Sequence, residues 1–328
     1  MIQVFLIGVG AGAATALLFA SLASGSPLAV VLFYLAPLPI LIAALGWSHY
    51  AALVAAIAAA ASLAALFNVT LFVAFLIGVG LPAWWLGYLA LLARPVEGVP
   101  GGLEWYPTGH LVVWTAILGA AAVIAGMLYF GTDEASFRAS LKSFLERVFR
   151  SAERLGADTP VPLPPSIDSG RVIDLMVVAL PPTAAVFTTA TNMLNLWLAG
   201  RIVRISGRLN RPPSDLSTMR FPVYAPALIG VAFVASFLPG MVGHFGVVVT
   251  ASMLLAYAIL GLAVMHAITR GMKSRPFALG GLYAAVIIFG WPMLFLSMLG
   301  LADTAFDLRG RVAAKQANSS RNNPTNPS

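Results

Sequence analysis

Apolar residues fill this chain in long runs, separated by short polar or Gly/Pro-rich interruptions, and the run lengths predict the architecture. No Lys, Arg, Asp or Glu precedes Arg94. A membrane-crossing helix needs about 20 apolar residues, so the opening stretch must cross and return several times. Loop signals divide the sequence into nine apolar segments: 2–23, 28–46, 48–67, 69–93, 110–130, 172–203, 221–238, 245–268 and 277–301. Helix is the expected state of each, because lipid offers no partners for backbone groups. Barrel strands would alternate polar with apolar over about ten residues, and these runs do not. The expected fold is an all-α polytopic transmembrane bundle with about nine apolar segments and eight or nine spans. The lower number follows if Pro181-Pro182 breaks segment 172–203 into a re-entrant hairpin.

Two stretches depart from the apolar pattern. In 131–170, Phe137, Leu141, Phe144, Leu145, Val148 and Phe149 recur at helical spacing. Lys142, Glu146, Arg147 and Arg150 fill the other face. That pattern predicts an amphipathic interfacial helix over 133–155. It would rest either among lipid headgroups or on its own bundle. The proline-rich 160–165 predicts a stiff extended linker, and the Asn/Ser/Pro-rich tail from Gln316 predicts disorder. The chain therefore divides into segments one to five (1–130), the polar insertion (131–170), segments six to nine (171–302) and a polar tail (303–328).

Charge reinforces the membrane assignment. Charged residues make up 9% of the chain, hydrophobic residues 59%, and mean hydropathy is +0.89. Soluble domains carry about 25% charged residues, so most of this exterior must face lipid. All 19 Lys and Arg lie outside the central parts of the apolar runs, as expected when a mid-bilayer charge costs roughly 2.5–3.5 kcal/mol. Among the acids only Asp174 falls within a run, near its start. The net charge of +7 suits anionic headgroups better than nucleic acid. Five basic residues against one acid between Arg201 and Arg220 place that loop in the cytoplasm, and the Arg270–Arg275 loop agrees. The expected home is a bacterial cytoplasmic (inner) membrane. No basic region precedes the first apolar run, which reads as a retained helix rather than a signal peptide.

Two intramembrane patterns stand out as candidate functional residues. Gly8, Gly12, Ala16 and Ala20 form a smooth stripe on the first helix. Such a stripe serves close packing within the chain or docking of a partner helix. The sixth segment carries Thr183, Thr188, Thr189, Thr191, Asn192 and Asn195, of which Thr188, Asn192 and Asn195 share one face. That face serves interhelical hydrogen bonds or lines a site for a polar solute. Pro181 and Pro182 just before it predict a helix break, and broken helices with freed carbonyls recur at transporter binding sites.

Other chemistry is sparse. There are no cysteines, which excludes disulfides and thiolate chemistry. His49, His110, His244 and His266 lie near segment ends without metal-ligand spacing. Asp303, Asp307, Arg309 and Arg311 read as a salt-bridged cap after the last helix. The sequence has no P-loop, G-x-S-x-G or H-E-x-x-H pattern. Neither an enzyme nor a cofactor or metal is expected.

Several short motifs carry a family resemblance. They are Gly10-Ala11-Gly12-Ala13-Ala14, Tyr34-Leu35-Ala36-Pro37-Leu38-Pro39, Leu45-Gly46-Trp47, Asn195-Leu196-Trp197-Leu198-Ala199, Gly207-Arg208-Leu209 and Phe306-Asp307-Leu308-Arg309. With them the chain resembles the YybS-like family of uncharacterised bacterial multi-pass membrane proteins. That family is distantly similar to the substrate-binding (S) subunits of energy-coupling-factor vitamin transporters. The resemblance implies a capture module in segments one to six and a separate coupling subunit docked on the Gly8–Ala20 stripe. Three further segments and the insertion depart from that pattern. Two functions follow as expectations: a solute-binding or transport subunit, or a membrane scaffold that recruits partner proteins through basic loops and the amphipathic helix.

Overall fold

The computed structural model describes all residues except 99–101, 155–168, 213–215, 271, 313 and 315–328. The linker expected at 160–165 and the tail from Gln316 therefore lie outside the described residues. Elsewhere the chain is a helical bundle, and seven of its helical stretches are long and apolar enough to cross a membrane.

Helix α1 (Ile2–Ala20) ends in a short 3-10 turn, and Gly25 at φ 66° reverses the chain. The second apolar segment is two helices, α2 (Pro27–Tyr34) and α3 (Pro37–Gly46). Pro37 and Pro39 have no N–H to donate, and the Leu38 amide turns to Leu35 O instead of Tyr34 O, so the helix breaks there. Helix α4 (His49–Leu66) starts at an N-cap, with the Ala51 amide donating to Ser48 Oγ at 3.3 Å. Asn68 caps α5 (Val69–Phe75) in the same way, at 3.0 Å. One π turn (Leu76–Gly80) joins α5 to α6 (Leu81–Ala90), just ahead of Pro82.

A short antiparallel hairpin, β1 (Ala93–Pro95) with β2 (Leu103–Trp105), closes the loop before α7 (Thr108–Phe130). The Arg94–Glu104 ion pair, 2.6 Å, bridges its strands. Helix α8 (Glu134–Arg154) is the expected amphipathic helix. It begins where the Ser136 amide donates to Asp133 Oδ1 at 2.9 Å, as an N-cap does. Of its two possible beds, α8 has taken the bundle. Phe137, Leu141 and Leu145 are buried against Met127, Ile173 and Val177.

Helix α9 (Ser169–Ile205) corrects the expected break, because it runs unbroken through Pro181 and Pro182. Its 37 residues extend about 55 Å. Asp174 near its start, the one acid inside an apolar run, pairs with Lys142 of α8 at 2.6 Å. The ninth apolar segment is also corrected. It divides at Gly290, φ 70°, into α12 (Arg275–Phe289) and α13 (Pro292–Phe306). Pro292, in the first turn of α13, cannot continue the helix before it. The seventh segment reduces to the short α10 (Ala225–Ala235), which packs on α11 (Met241–Ile268).

Close packing here depends on small residues. Ala51, Ala52, Ala55, Ala56, Ala59 and Ala60 of α4 are all fully buried, so helices approach α4 on two sides. Gly8 and Gly12 of α1 lie against it. A Cβ on Gly8 would come within 2.7 Å of Val54 Cβ, and one on Gly12 within 2.7 Å of Ala55 O. The stripe on α1 is thus covered from within the chain, and the docking face expected for a partner is occupied by α4. Helices α11 and α13 meet through Gly261 against Leu296 and Gly300 against Tyr257. With no hydrophobic drive between helices in lipid, such contacts supply the association energy.

Replacing Gly12 by Ile should destabilise the bundle by about 1–3 kcal/mol, the usual cost of overpacking. A Cβ at Gly10 meets nothing within 4 Å, so Gly10→Ile should leave stability unchanged. Thermal unfolding of both variants in detergent would check the contrast.

Candidate functional site

The polar face expected on the sixth segment is buried in helix contacts. Asn195 is fully buried, and its Nδ2 donates at 2.8 Å both to Thr191 O and to Tyr34 O. Tyr34 O is the carbonyl released by the α2–α3 break, so Asn195 supplies the bond that the Leu38 amide no longer makes. Thr188 Oγ1 donates to Ala184 O of its own helix at 2.8 Å. Asn192 is 2% exposed, and its Nδ2 has no partner among the described residues. Thr189 packs against Gly119 of α7. Thr188, Asn192 and Asn195 do not line the main cavity.

That cavity lies on the adjacent face of α9. It is a cleft of about 570 Å³, within the range of ligand pockets, bounded by α7, α9, α11 and the loop after α9. Ala190, Met193, Leu194, Leu196, Trp197 and Gly200 supply its α9 wall. Leu255 and Ile259 face them from α11, and Leu111, Val112 and Thr115 from α7. Leu194 and Trp197 are half-exposed, which marks where the cleft opens. Thr115 Oγ1 donates to Val112 O at 2.7 Å, so this threonine presents little unmet polarity.

Three arginines stand at one end, and among the described residues no acid lines the cleft. Arg211 is structural. Its Nη1 donates to Ala90 O at 3.0 Å, and its Nη2 donates to Tyr106 O at 2.8 Å and to Thr108 Oγ1 at 3.1 Å. It thereby ties the loop after α9 to α6 and to the start of α7. Burial lowers its pKa from the ordinary arginine value. Arg201 and Arg204, one turn apart on α9, are exposed. Arg201 lies 5.8 Å from the centre of the Trp197 ring. Neither makes a hydrogen bond or ion pair among the described residues.

The wall of the cleft that carries Met219 is fastened from the far end of the chain. Arg309 pairs with buried Asp303 at 2.7 Å and donates to Ser217 O at 2.7 Å. Arg220 pairs with Asp307 at 3.1 Å. The Asp/Arg cluster at the end of α13 is therefore a clamp on this loop. Sequence reasoning passed over the cleft residues, although Met193, Trp197, Gly200 and Arg204 follow i, i+4, i+7 and i+11 on one face. The signal was an apolar stripe turning basic, where a polar stripe was sought.

A second, smaller cavity lies at the α8 end. Pro181, Pro182, Glu134, Arg138 and His244 line it. Glu134 pairs with Arg138 at 2.9 Å and sits 3.5 Å from His244 Nε2. The remaining histidines are dispersed. His49 stacks on Tyr50, His110 packs against Tyr106, and His266 lies beside Tyr283.

The long apolar helices, the basic ends and the lipid-length spans define a polytopic α-helical membrane protein. Within that class the chain belongs to the family described as Predicted membrane protein (DUF2232), whose family model matches residues 13–304. No curated protein and no solved structure matches it.

Asn195→Leu should leave Tyr34 O without a donor in a region that lipid cannot satisfy. We expect a loss of about 1–2 kcal/mol, read as a lower unfolding temperature in detergent. Thr188→Val, which removes only a bond within one helix, should change stability by less than about 0.5 kcal/mol.

Proposed function

We propose that this chain is a solute-binding subunit with a role in transport, and that its solute is an amphiphile held in the cleft between α7, α9 and α11. The observation that carries this reading is a sizeable apolar cleft opening on the half-exposed side of α9. A lipid-accessible apolar cavity excludes small polar solutes and admits a molecule with a hydrocarbon part. Its arginine-bearing end belongs to the basic Arg201–Arg220 loop, which the charge rule puts on the cytoplasmic side of a bacterial membrane.

The resemblance to S subunits supports binding and departs from this geometry. Those subunits capture from the outer side and dock through their first helix, whereas here the cleft opens at the basic end and α4 covers the first-helix stripe. A partner that couples binding to energy would need another face. The scaffold reading relies on basic loops and α8, but α8 packs its buried apolar side on its own bundle.

Gly200 provides the test. It lines the cleft, and a Cβ there meets nothing within 4 Å, so a large side chain can enter the cavity without displacing backbone. Native mass spectrometry of the gently purified wild type should show one retained amphiphile per chain. Gly200→Trp should retain none while unfolding at the same temperature. Equal retention by the variant would remove the cleft from the proposal.

A further inference from the structure

The cleft has a direction, and α9 measures it. Asp174 and Arg201 lie on one helix, 27 positions apart, or about 40 Å along its axis. That distance equals the bilayer thickness with its headgroup layers, about 40–45 Å. Placing the charged Asp174–Lys142 pair at one headgroup level puts Arg201 at the opposite one. From there the α9 wall is apolar down to Ala190, a depth of about 16 Å. One leaflet's hydrocarbon layer is about 15 Å deep, half of the 30 Å core. The cleft therefore matches a single leaflet, with guanidinium groups at the headgroup level and apolar walls to mid-bilayer.

The groups at its mouth specify charge. Arg201 and Arg204 occupy successive turns of one face, where side chains three apart are neighbours. Arg211 is fixed by three protein acceptors, whereas these two have no hydrogen-bonded protein partner among the described residues. Among the described residues no carboxylate lines the cleft to compete for them. Two guanidiniums with open hydrogen-bond donors on one side of a tetrahedral anion are the usual means of phosphate recognition. Resting on the amphiphile reading above, we infer that the cleft holds one phosphate-bearing lipid, its phosphate between Arg201 and Arg204 and one hydrocarbon chain along Trp197, Met193 and Ala190. The phosphate is a monoester or a diester, and the chain is acyl or prenyl. Free phosphate lacks the part that the apolar wall would hold.

The test uses the full chain in a maltoside detergent and three probes: dioleoyl phosphatidic acid, dioleoylglycerol and inorganic phosphate. Native mass spectrometry should show one phosphatidic acid bound per chain, at least about tenfold tighter than dioleoylglycerol, as expected for a charge-assisted contact. Arg201→Gln and Arg204→Gln should each weaken phosphatidic acid by about tenfold and leave dioleoylglycerol unchanged. Arg208→Gln removes a charge from the same loop outside the cleft. It should stay within about threefold of wild type in about 0.15 M salt, where distant exposed charges are screened. Arg201→Lys, which keeps the charge and loses the planar fork, should recover part of the affinity.

Equal binding of phosphatidic acid and dioleoylglycerol would overturn the phosphate assignment and leave the cleft reading intact. So would an equal loss in Arg208→Gln, which would indicate general headgroup attraction. Displacement of phosphatidic acid by inorganic phosphate at comparable concentration would overturn the requirement for a chain. Undiminished phosphatidic acid binding in Gly200→Trp would instead overturn the cleft reading, and this inference with it.

Discussion

Lipid cannot hydrogen-bond a polypeptide, so each carbonyl or amide released within the bilayer must find a partner in the protein. That constraint explains much of the polar chemistry inside this bundle. Prolines 37 and 39 part α2 from α3, and the stranded Tyr34 carbonyl draws a buried asparagine from α9, 161 positions away in sequence. Ser26, Ser48 and Asn68 receive amides at the starts of α2, α4 and α5 for the same reason. Of the polar residues of the sixth segment, Asn195 thus serves the backbone of a neighbouring helix break, and Thr188 bonds within its own helix. A bound polar solute is not needed to account for Asn195.

The same absence of solvent alters what drives helices together. Burial of leucine gains little when the alternative is lipid, so association depends on contact density. Alanines and glycines provide it by letting backbones approach. The α1–α4 and α11–α13 contacts are both of this kind. Helix α9 connects the units so formed, with Ala199 and Val203 packed among α3 and α6, and Ile173, Val177 and Ala185 packed among α7 and α8. Where α9 leaves the first group and passes α11, the packing opens into the cleft.

Helicity and span positions were legible in the sequence because they depend on local composition, and the long apolar runs have one stable state in lipid. Breaks were less legible, because a proline reports only the loss of one donor. Whether a helix parts there depends on what surrounds it. At Pro37 and Pro39 two alternate prolines part the helix, and Asn195 meets the released carbonyl. At Pro181-Pro182 the helix continues, and it packs on α7, α8 and α11. The break before Pro292 was hidden within an apolar run because Gly290 changes direction without changing hydropathy. The hairpin at Arg94 and Glu104 was missed for a simpler reason, since three-residue strands have too little pattern to detect. The small-residue stripe was visible, but the identity of its neighbour was not, since Gly8 fits an internal alanine face as well as it would fit a partner's.

The cleft was the least legible feature, and its arginines show why. By sequence, Arg201, Arg204 and Arg211 are three similar charges in one basic loop, and topology alone accounts for all of them. Their surroundings divide them. Arg211 lies in a half-buried site, where an unpaired guanidinium would carry a large desolvation penalty, and oxygens of Ala90, Tyr106 and Thr108 meet it. Arg309 is buried too and is matched by Asp303. Arg201 and Arg204 carry no such penalty, because they stand exposed, and among the described residues no carboxylate pairs with them. A topology signal needs only a positive end. An apolar cleft that ends at two guanidiniums without an ion-pair partner among the described residues, with a third arginine fastening its wall, is more structure than that signal requires.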